Sequence, residues 1–346
     1  EVCRREDVDA VLVAGDLFDS STVAASMVME VLEAIESISV PVVVIPGNHD
    51  HGGAGGIWRR EDLRRQLQER AGNLQLLLKP EPVVLAGLTL LPCPLRRQRD
   101  SHSPSLWLEQ LNWEKLDPLT PRVVLAHGSV QGFGSEGQVN QLRLDHLPSD
   151  QIDYVALGDW HALLEVDPRS WYCGTPEPDR FPTGPEDLRS QVLVVDLGRG
   201  RPPQVVPHPT GRLRWHRITM TLNGDADLVR LEQQIAGSVG RRVGRDLMRL
   251  ELNGQLGVKG HLQLQDRLGV LSEQLLHLRL RGRIRRQPTA QERDQLLQRM
   301  DSPLVSSIAE GLQEELQNSA DPLIEQALIE LHRLCTSDSS AAEPCV

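Results

Sequence analysis

Along residues 1–212, short unbroken apolar runs alternate with longer amphipathic stretches. Val11–Ala14, Val42–Ile45, Val123–Ala126 and Tyr154–Leu157 have the length and the β-branched or apolar character of strands buried on both faces. The stretch Thr22–Ser37 reads as a helix, with Ser20 or Ser21 placed to cap its first turn. A second, Arg-rich amphipathic helix is predicted from Ile57 to Arg70. Strand-helix-strand alternation of this kind joins parallel strands by helical crossovers. After Pro80 the runs shorten, and Val83–Ala86 and Thr89–Leu91 predict antiparallel additions. Gln191–Asp196 and Gln204–Pro207 are expected to complete a second sheet. The pattern predicts an α/β fold, a two-sheet sandwich flanked by helices.

Near Gly211 the pattern changes. Arg214–Leu222, Asp246–Leu252 and Leu276–Ile284 read as strands, separated by helices over Asp225–Ser238 and Gly260–Leu275. This predicts a smaller α+β domain over 213–300, after a first domain over 1–212. Two helices are expected in 301–346, the second opened by Asp321 as cap and Pro322 at the first helical position. The polar end, Thr336–Val346, is expected to be disordered. Within the third strand Arg279, Arg281, Arg283 and Arg285 recur with period two, so four guanidinium groups share one strand face. Such a row serves equally as a charged guard on an edge strand or as a ridge that contacts phosphates.

Each of the four buried-strand runs delivers polar groups immediately past its last apolar residue. These are Gly15-Asp16, then Gly47-Asn48-His49-Asp50, then His127, then Gly158-Asp159-Trp160-His161. In α/β proteins ligands bind at the carboxyl ends of strands. Carboxylate, amide and imidazole together form the mixed oxygen and nitrogen donor set that suits borderline divalent ions such as manganese. Two such ions about 3.5–4 Å apart activate a water and clamp a phosphoester, and they need a carboxylate bridge to offset their repulsion. Asp16 is the best candidate for that bridge. His51 reads as a loop residue. His102, His146, His208, His216, His261, His277 and His332 show no ligand spacing.

Composition adds two constraints. The 346 residues carry a net charge of −11, yet residues 211–300 hold 17 Lys and Arg against 9 Asp and Glu. A basic segment on an acidic body weakens the argument of overall charge against nucleic acid. With six Trp, two Tyr and three Phe, aromatic residues are too sparse for a base-stacking platform. Any nucleic-acid contact is therefore expected to be electrostatic and neutral to sequence. Five scattered cysteines with no paired motif point to a reducing, cytoplasmic setting and away from disulfides or a zinc site. No run approaches the ~20 apolar residues of a membrane span, so no membrane role is expected.

The ordered motifs resemble those of the calcineurin-like metallophosphoesterase superfamily, Asp-x-His, Gly-Asp, Gly-Asn-His-Asp/Glu, His and Gly-His-x-His. The resemblance covers residues 1–212 and implies that Asp16 bridges two metals, that Asn48, His127 and Asp159 serve one of them and His161 the other. It further implies that His49 stands beside the scissile phosphate as acid or charge stabiliser, held by Asp50. Asp159 departs from the usual histidine and raises the local negative charge. The first motif does not occur in the chain, which opens within a predicted helix, and the resemblance leads us to expect a preceding strand that carries it. Val11–Asp19, Val44–Asp50, Tyr154–Gly158 and Trp171–Pro176 are worded like the nuclease subunits of SbcD type. That likeness implies a manganese-dependent DNA nuclease of break repair, with an ATPase of SbcC type as partner, docked on the C-terminal helices, and with a homodimer also allowed. Phosphoesterases of small nucleotides or phosphoproteins, and a non-catalytic DNA- or ATPase-binding scaffold, stand as alternatives.

Overall fold

A computed structural model of the chain describes residues 1–346 other than 131–138, 185, 241–243, 288, 299–301, 320–321 and 338–346. The chain divides into two compact units, Glu1–Asp179 with Thr183–Gly211, and Arg180–Pro182 with Arg212–Val346.

In the first unit a short helix α1 (Val2–Arg5) precedes β1 (Val11–Ala14), α2 (Ala25–Glu36), β2 (Val42–Ile45), α3 (Glu61–Arg70) and β3 (Leu74–Leu76). The three strands form a parallel sheet in the order β1-β2-β3. A second sheet begins with β4 (Val83–Leu85), β5 (Leu88–Cys93) and β6 (Arg122–His127). The two-residue strands β7 (Ser129–Val130) and β8 (Gln141–Leu142) pair apart from it. Then β9 (Tyr154–Gly158), β10 (Leu164–Asp167) and β11 (Ser170–Tyr172) complete six strands in the order β10-β11-β9-β6-β5-β4. Its centre, β5-β6-β9-β11, is parallel and both rims are antiparallel. The α/β class expected from the alternation is the one observed.

Period-two alternation decides which side chains lie between the sheets. Val42 and Val44 pack against Val28, Leu32 and Leu63 of α2 and α3. Val43 and Ile45 face the other sheet and meet Val123, Leu125 and Tyr154. Val124 and Ala126 turn to the opposite core, with Leu108 and Ile152. His127 continues the parity of Val123 and Leu125, which carries its imidazole between the sheets.

Several boundaries differ from expectation. Neither Ser20 nor Ser21 caps α2, which starts at Ala25 behind Ala24 with no side-chain cap. The Ser20 hydroxyl instead accepts the Thr22 N–H at 3.1 Å and so closes a local turn. The helix expected over Ile57–Arg70 breaks at Arg60, which is extended (φ −64°, ψ 130°) between a 3₁₀ turn at Ile57–Arg59 and α3. β12 (Gln191–Asp196) and β13 (Gln204–Pro209) do not extend the second sheet. They pair with each other as an antiparallel ribbon whose Val195 and Val205 lean on the inter-sheet core.

The second unit holds β14 (Arg214–Leu222), α4 (Asp227–Val239), β15 (Asp246–Leu256), α5 (Val258–Gln274), β16 (His277–Arg281) and β17 (Ile284–Arg286), followed by α6 (Ala290–Leu297), α7 (Pro303–Asn318) and α8 (Pro322–Ser337). All strand pairings here are parallel, with β15 between β14 and β16. The single strand expected over Leu276–Ile284 is interrupted at Gly282 (φ +93°), where an added Cβ would lie 2.2 Å from the Leu252 carbonyl oxygen. Leu228 and Leu231 of α4 and Leu264 and Leu271 of α5 share one core with Ile218, Met220, Met248 and Leu250. Both helices therefore cover the same sheet face. The expected cap at Asp321 lies outside the described residues, as does most of the tail expected to be disordered. Among the described residues no helix is long and apolar enough to cross a membrane.

Candidate metal centre

Strands β1, β2, β6 and β9 end together, and the chain turns sharply at each end. Asp16 (φ +53°) and Asp159 (φ +98°) hold a backbone conformation that non-glycine residues rarely adopt. Gly15, Gly47 and Gly158 have no room for a side chain. An added Cβ would stand 2.3 Å from His127 Nδ1, 2.2 Å from Asp16 Oδ1 and 1.8 Å from the Ala14 oxygen, respectively. The glycines let four loops converge on one imidazole.

His127 is 1% exposed, and its Nδ1 lies 2.7 Å from the Ala14 carbonyl oxygen. A carbonyl only accepts, so Nδ1 carries the proton and Nε2 of the neutral ring carries the lone pair. Around Nε2 stand Asn48 Oδ1 at 3.0 Å, Asp16 Oδ2 at 3.3 Å and Asp159 Oδ1 at 3.7 Å. Ligand bonds of ~2.0–2.2 Å set neighbouring donors of one ion ~3–3.5 Å apart. The Asn48 and Asp16 separations fall in that range, and Asp159 at 3.7 Å lies just outside it. Backbone fixation of the second ring nitrogen is the usual support of a ligating histidine. Among the described residues no three His, Cys, Asp or Glu side chains alone form such a cluster. The Asn48 amide oxygen is the group nearest to Nε2.

The electrostatics agree with a cation site. Burial works against ionisation of Asp16, but its contacts with His127 and the His49 N–H outweigh it and hold the carboxyl below its ordinary range. Burial likewise opposes charge on His127, and the hydrogen bond and charge of Asp16 overcome it, so this imidazole lies above its ordinary value. The Asp16 carboxylate thus stabilises positive charge at Nε2, where a proton and a metal ion would compete. Asp159 is steadied by Ser129, whose hydroxyl donates to Oδ2 at 3.0 Å.

Asp50, expected to hold His49, fastens two loops instead. Asp50 is fully buried and accepts backbone N–H groups from Gly47 (2.6 Å), Asp16 (3.2 Å), Leu17 (3.0 Å) and Phe18 (3.4 Å). Both its oxygens are committed to the two loops, so it does not hold the His49 ring. His49 Nδ1 lies 2.9 Å from the Asp19 carbonyl oxygen, and its own N–H donates to Asp16 Oδ1 at 2.9 Å. His161 forms no hydrogen bond or ion pair with the four-residue cluster. Its Nδ1 donates to Asp179 Oδ2 at 2.6 Å, and Asp179 pairs onward with Arg189. Ser129 and Asp179 carry no motif signal, and Asp19 acts through its backbone carbonyl. Asp179 follows His161 by 18 residues in irregular chain, with no periodicity to mark it.

The arginines expected to share a face do so in the second unit. Arg279 and Arg281 lie on β16, Arg285 lies on β17, and Arg283 lies between the two strands. The register of both strands against β15 is the same across the Gly282 bend, so the parity survives. Arg217, Arg249 and Arg279 are direct cross-strand neighbours on the face opposite the helices. Glu251 on that face accepts from Arg217 at 3.0 Å and pairs with Arg249.

Residues 1–163 match the family described as calcineurin-like phosphoesterase. A stretch of 168 residues is 25% identical to the DNA double-strand break repair protein Mre11 of Saccharolobus solfataricus, covering 46% of this chain and 41% of that protein. The chain thus spans less than half the length of this relative. The two similarities support the metallophosphoesterase superfamily for the N-terminal unit. Its two facing sheets are consistent with that fold.

Proposed function

We propose that the N-terminal unit hydrolyses phosphodiester bonds of DNA with two divalent ions, most suitably manganese, in the processing of broken DNA ends. The observation that carries this reading is the ring of Asp16, Asn48 and Asp159 oxygens around His127 Nε2, at the joint ends of strands from both sheets. Similarity to a break-repair protein supports DNA as the substrate. Asp16, Asn48, His127 and Asp159 would hold one ion, with Asp16 shared and His161 serving the second. Bound there, the ions would supply Lewis acidity toward the phosphoryl oxygens and an activated water.

The chain's own groups do the rest. Asp50 fixes the Gly15–Phe18 and Gly47–Asp50 loops in one geometry by taking N–H groups from both. The Ala14 carbonyl orients His127, and Asp179 orients His161. His49 is exposed enough to meet substrate, and with Nδ1 held at the Asp19 carbonyl its Nε2 is left to stabilise charge on the phosphoryl group or leaving oxygen. The arginine row on the sheet face opposite α4 and α5 would meet DNA phosphates without reading sequence. α7 and α8, with Leu304, Ile308 and Leu323 exposed, are the proposed docking elements for an ATPase partner of SbcC type.

The test compares linear DNA with a small chromogenic phosphodiester in manganese, magnesium and a chelator, for the chain and its Asp16→Asn variant. Manganese-dependent cleavage of both substrates, lost in the variant while the fold remains, supports the proposal. Turnover of the small diester without DNA cleavage would instead favour a nucleotide phosphodiesterase.

A further inference from the structure

We infer that a cleft of about 750 Å³ beside His51 is a subsite for a second phosphate of the same nucleic-acid strand. This rests on the phosphodiesterase reading and specifies how that site would select a polymer. His51, Arg96, Arg97, Asp100 and His102 line the cleft together with Gly53.

Its walls are pinned to the loop that carries Asn48 and His49. The Gly52 N–H donates to the Leu95 carbonyl at 2.8 Å, and the Leu95 N–H donates to the Pro46 carbonyl at 3.1 Å. A Cβ at Gly53 would stand 2.0 Å from the Arg96 carbonyl oxygen, so the two loops pack backbone against backbone. Asn140 fastens the far side. Its side chain donates to the Gln98 carbonyl at 2.9 Å and accepts the Asp100 N–H at 2.8 Å, and its own N–H donates to the Asp100 carbonyl at 2.8 Å.

The chemistry of the lining favours an anion. Among the described residues Asp100 is the one acid lining the cleft, and it is engaged locally by the N–H and Nδ1 of His102 at 3.0 and 3.2 Å. Arg96 and Arg97 are exposed and supply two forked guanidinium groups. His51 Nδ1 is buried without a partner among the described residues, and a Cβ on Gly56 would come within 3.0 Å of it. Nε2 is then the ring nitrogen left for a ligand.

Spacing argues for a neighbouring phosphate. One residue, Asp50, separates His51 from His49, so their Cα atoms lie within ~7 Å. Phosphates succeed one another along a helical strand at a rise of ~3.4 Å and stand further apart in an extended strand. A strand with one phosphate at His49 thus brings the next one or two to the mouth of the cleft. A small diester with one phosphate cannot use both positions. An internal phosphate of a strand and the terminal phosphate of a mononucleotide share this chemistry, and we commit to the internal one.

The experiment uses the full chain and an Arg96→Ala/Arg97→Ala variant. In chelator, fluorescence anisotropy measures binding of a short labelled oligothymidylate with a 5′-hydroxyl end, which has internal phosphates only. Thymidine 5′-monophosphate, with a terminal phosphate only, is titrated in parallel. The variant should lose about tenfold in oligonucleotide affinity at low salt, and its salt slope should fall by ~0.7 for each phosphate no longer neutralised. Monophosphate binding should differ little between the two proteins. In manganese, the ratio of oligonucleotide to small-diester kcat/KM should fall by a similar factor. Equal oligonucleotide binding by both proteins would overturn the subsite, as would a loss confined to the monophosphate. Hydrolysis of neither substrate by the wild-type chain would remove the phosphodiesterase reading, while the anisotropy series would still decide whether the cleft binds a strand.

Discussion

His49 and Asp50 are adjacent in sequence but answer to different physics, and their variants should separate cleanly. Asp50 is a buried carboxylate that satisfies backbone N–H groups of two loops. Asparagine there keeps one acceptor and turns an NH₂ toward those donors. Charged hydrogen bonds of this kind are worth ~1.5–3 kcal/mol each, and leaving buried donors unpaired costs ~1–3 kcal/mol. Asp50→Asn should therefore destabilise the first unit by about 2–4 kcal/mol and abolish manganese binding, as read by denaturant midpoint and calorimetric titration. His49→Gln should leave both quantities near wild type while lowering turnover by ~10²–10⁴, the usual cost of a lost acid or base. Loss of metal with normal turnover at saturating manganese would remove His49 from its assigned role. The strand-end polar residues were legible because each follows an apolar run. The partner of His49 was not, since the Asp19 contact is made by a backbone carbonyl that every residue possesses.

Elements followed the hydrophobic pattern wherever burial was two-sided and departed from it where a local hydrogen bond competed. β2 and β6 are buried along their whole length, and both were evident from composition. The Ser20 turn, the break at Arg60 and the bend at Gly282 depend on one or two residues, and a 3.6 or 2.0 period averages over them. The start of α5 shows a device that no local pattern carries. Asp225 accepts the N–H groups of Gly257 (2.7 Å) and Gly260 (3.1 Å), while Glu292 accepts those of Val258 (3.2 Å) and Lys259 (2.9 Å). Two acids, one 32 residues before Gly257 and the other 35 residues after it, thus satisfy the orphan donors of one helix. Glu292 also closes the capping box of α6 with Thr289. Burial pushes the Glu292 carboxyl upward, but the N–H groups of Lys259, Thr289 and Val258 prevail and hold it below its ordinary 4.5. A depressed folded value contributes stability that is complete above the unfolded value and is lost as pH falls through the folded one. Amide exchange at residues 258–262 should therefore quicken below about pH 4.5, relative to the mid-strand amides of β15. Glu292→Ala should remove that pH dependence and cost about 2–4 kcal/mol. An unchanged acid profile in the variant would assign the protection to Asp225 alone.

At the scale of the whole molecule, charge is distributed by unit, and the second unit's sheet exposes where it is used. Parallel sheets are ordinarily covered on both faces, yet α4 and α5 pack on the same side of β14-β15-β16. The other face presents Arg217, Arg249, Arg279 and Arg281, with Glu251 the one acid in these cross-strand rows. The sequence disclosed the basic surplus and the period-two arginines of one strand. It did not disclose that the neighbouring strands align Arg217 and Arg249 beside them, because cross-strand register depends on crossover geometry. Glu251 is already occupied by Arg217 and Arg249, which leaves Arg279 and Arg281 as the exposed arginines of these rows that do not pair with it. If these two contact phosphates, Arg279→Ala/Arg281→Ala should weaken duplex binding irrespective of sequence. The slope of log K against log salt should become shallower by ~0.9 for each phosphate that the variant no longer neutralises. The metal cluster is built wholly from the first unit, so hydrolysis of a small diester should persist in the same variant. Weaker DNA binding at constant salt slope would point to misfolding of the sheet. Unaltered affinity in a folded variant would make the row a charged guard against strand pairing, and DNA binding would then fall to the first unit.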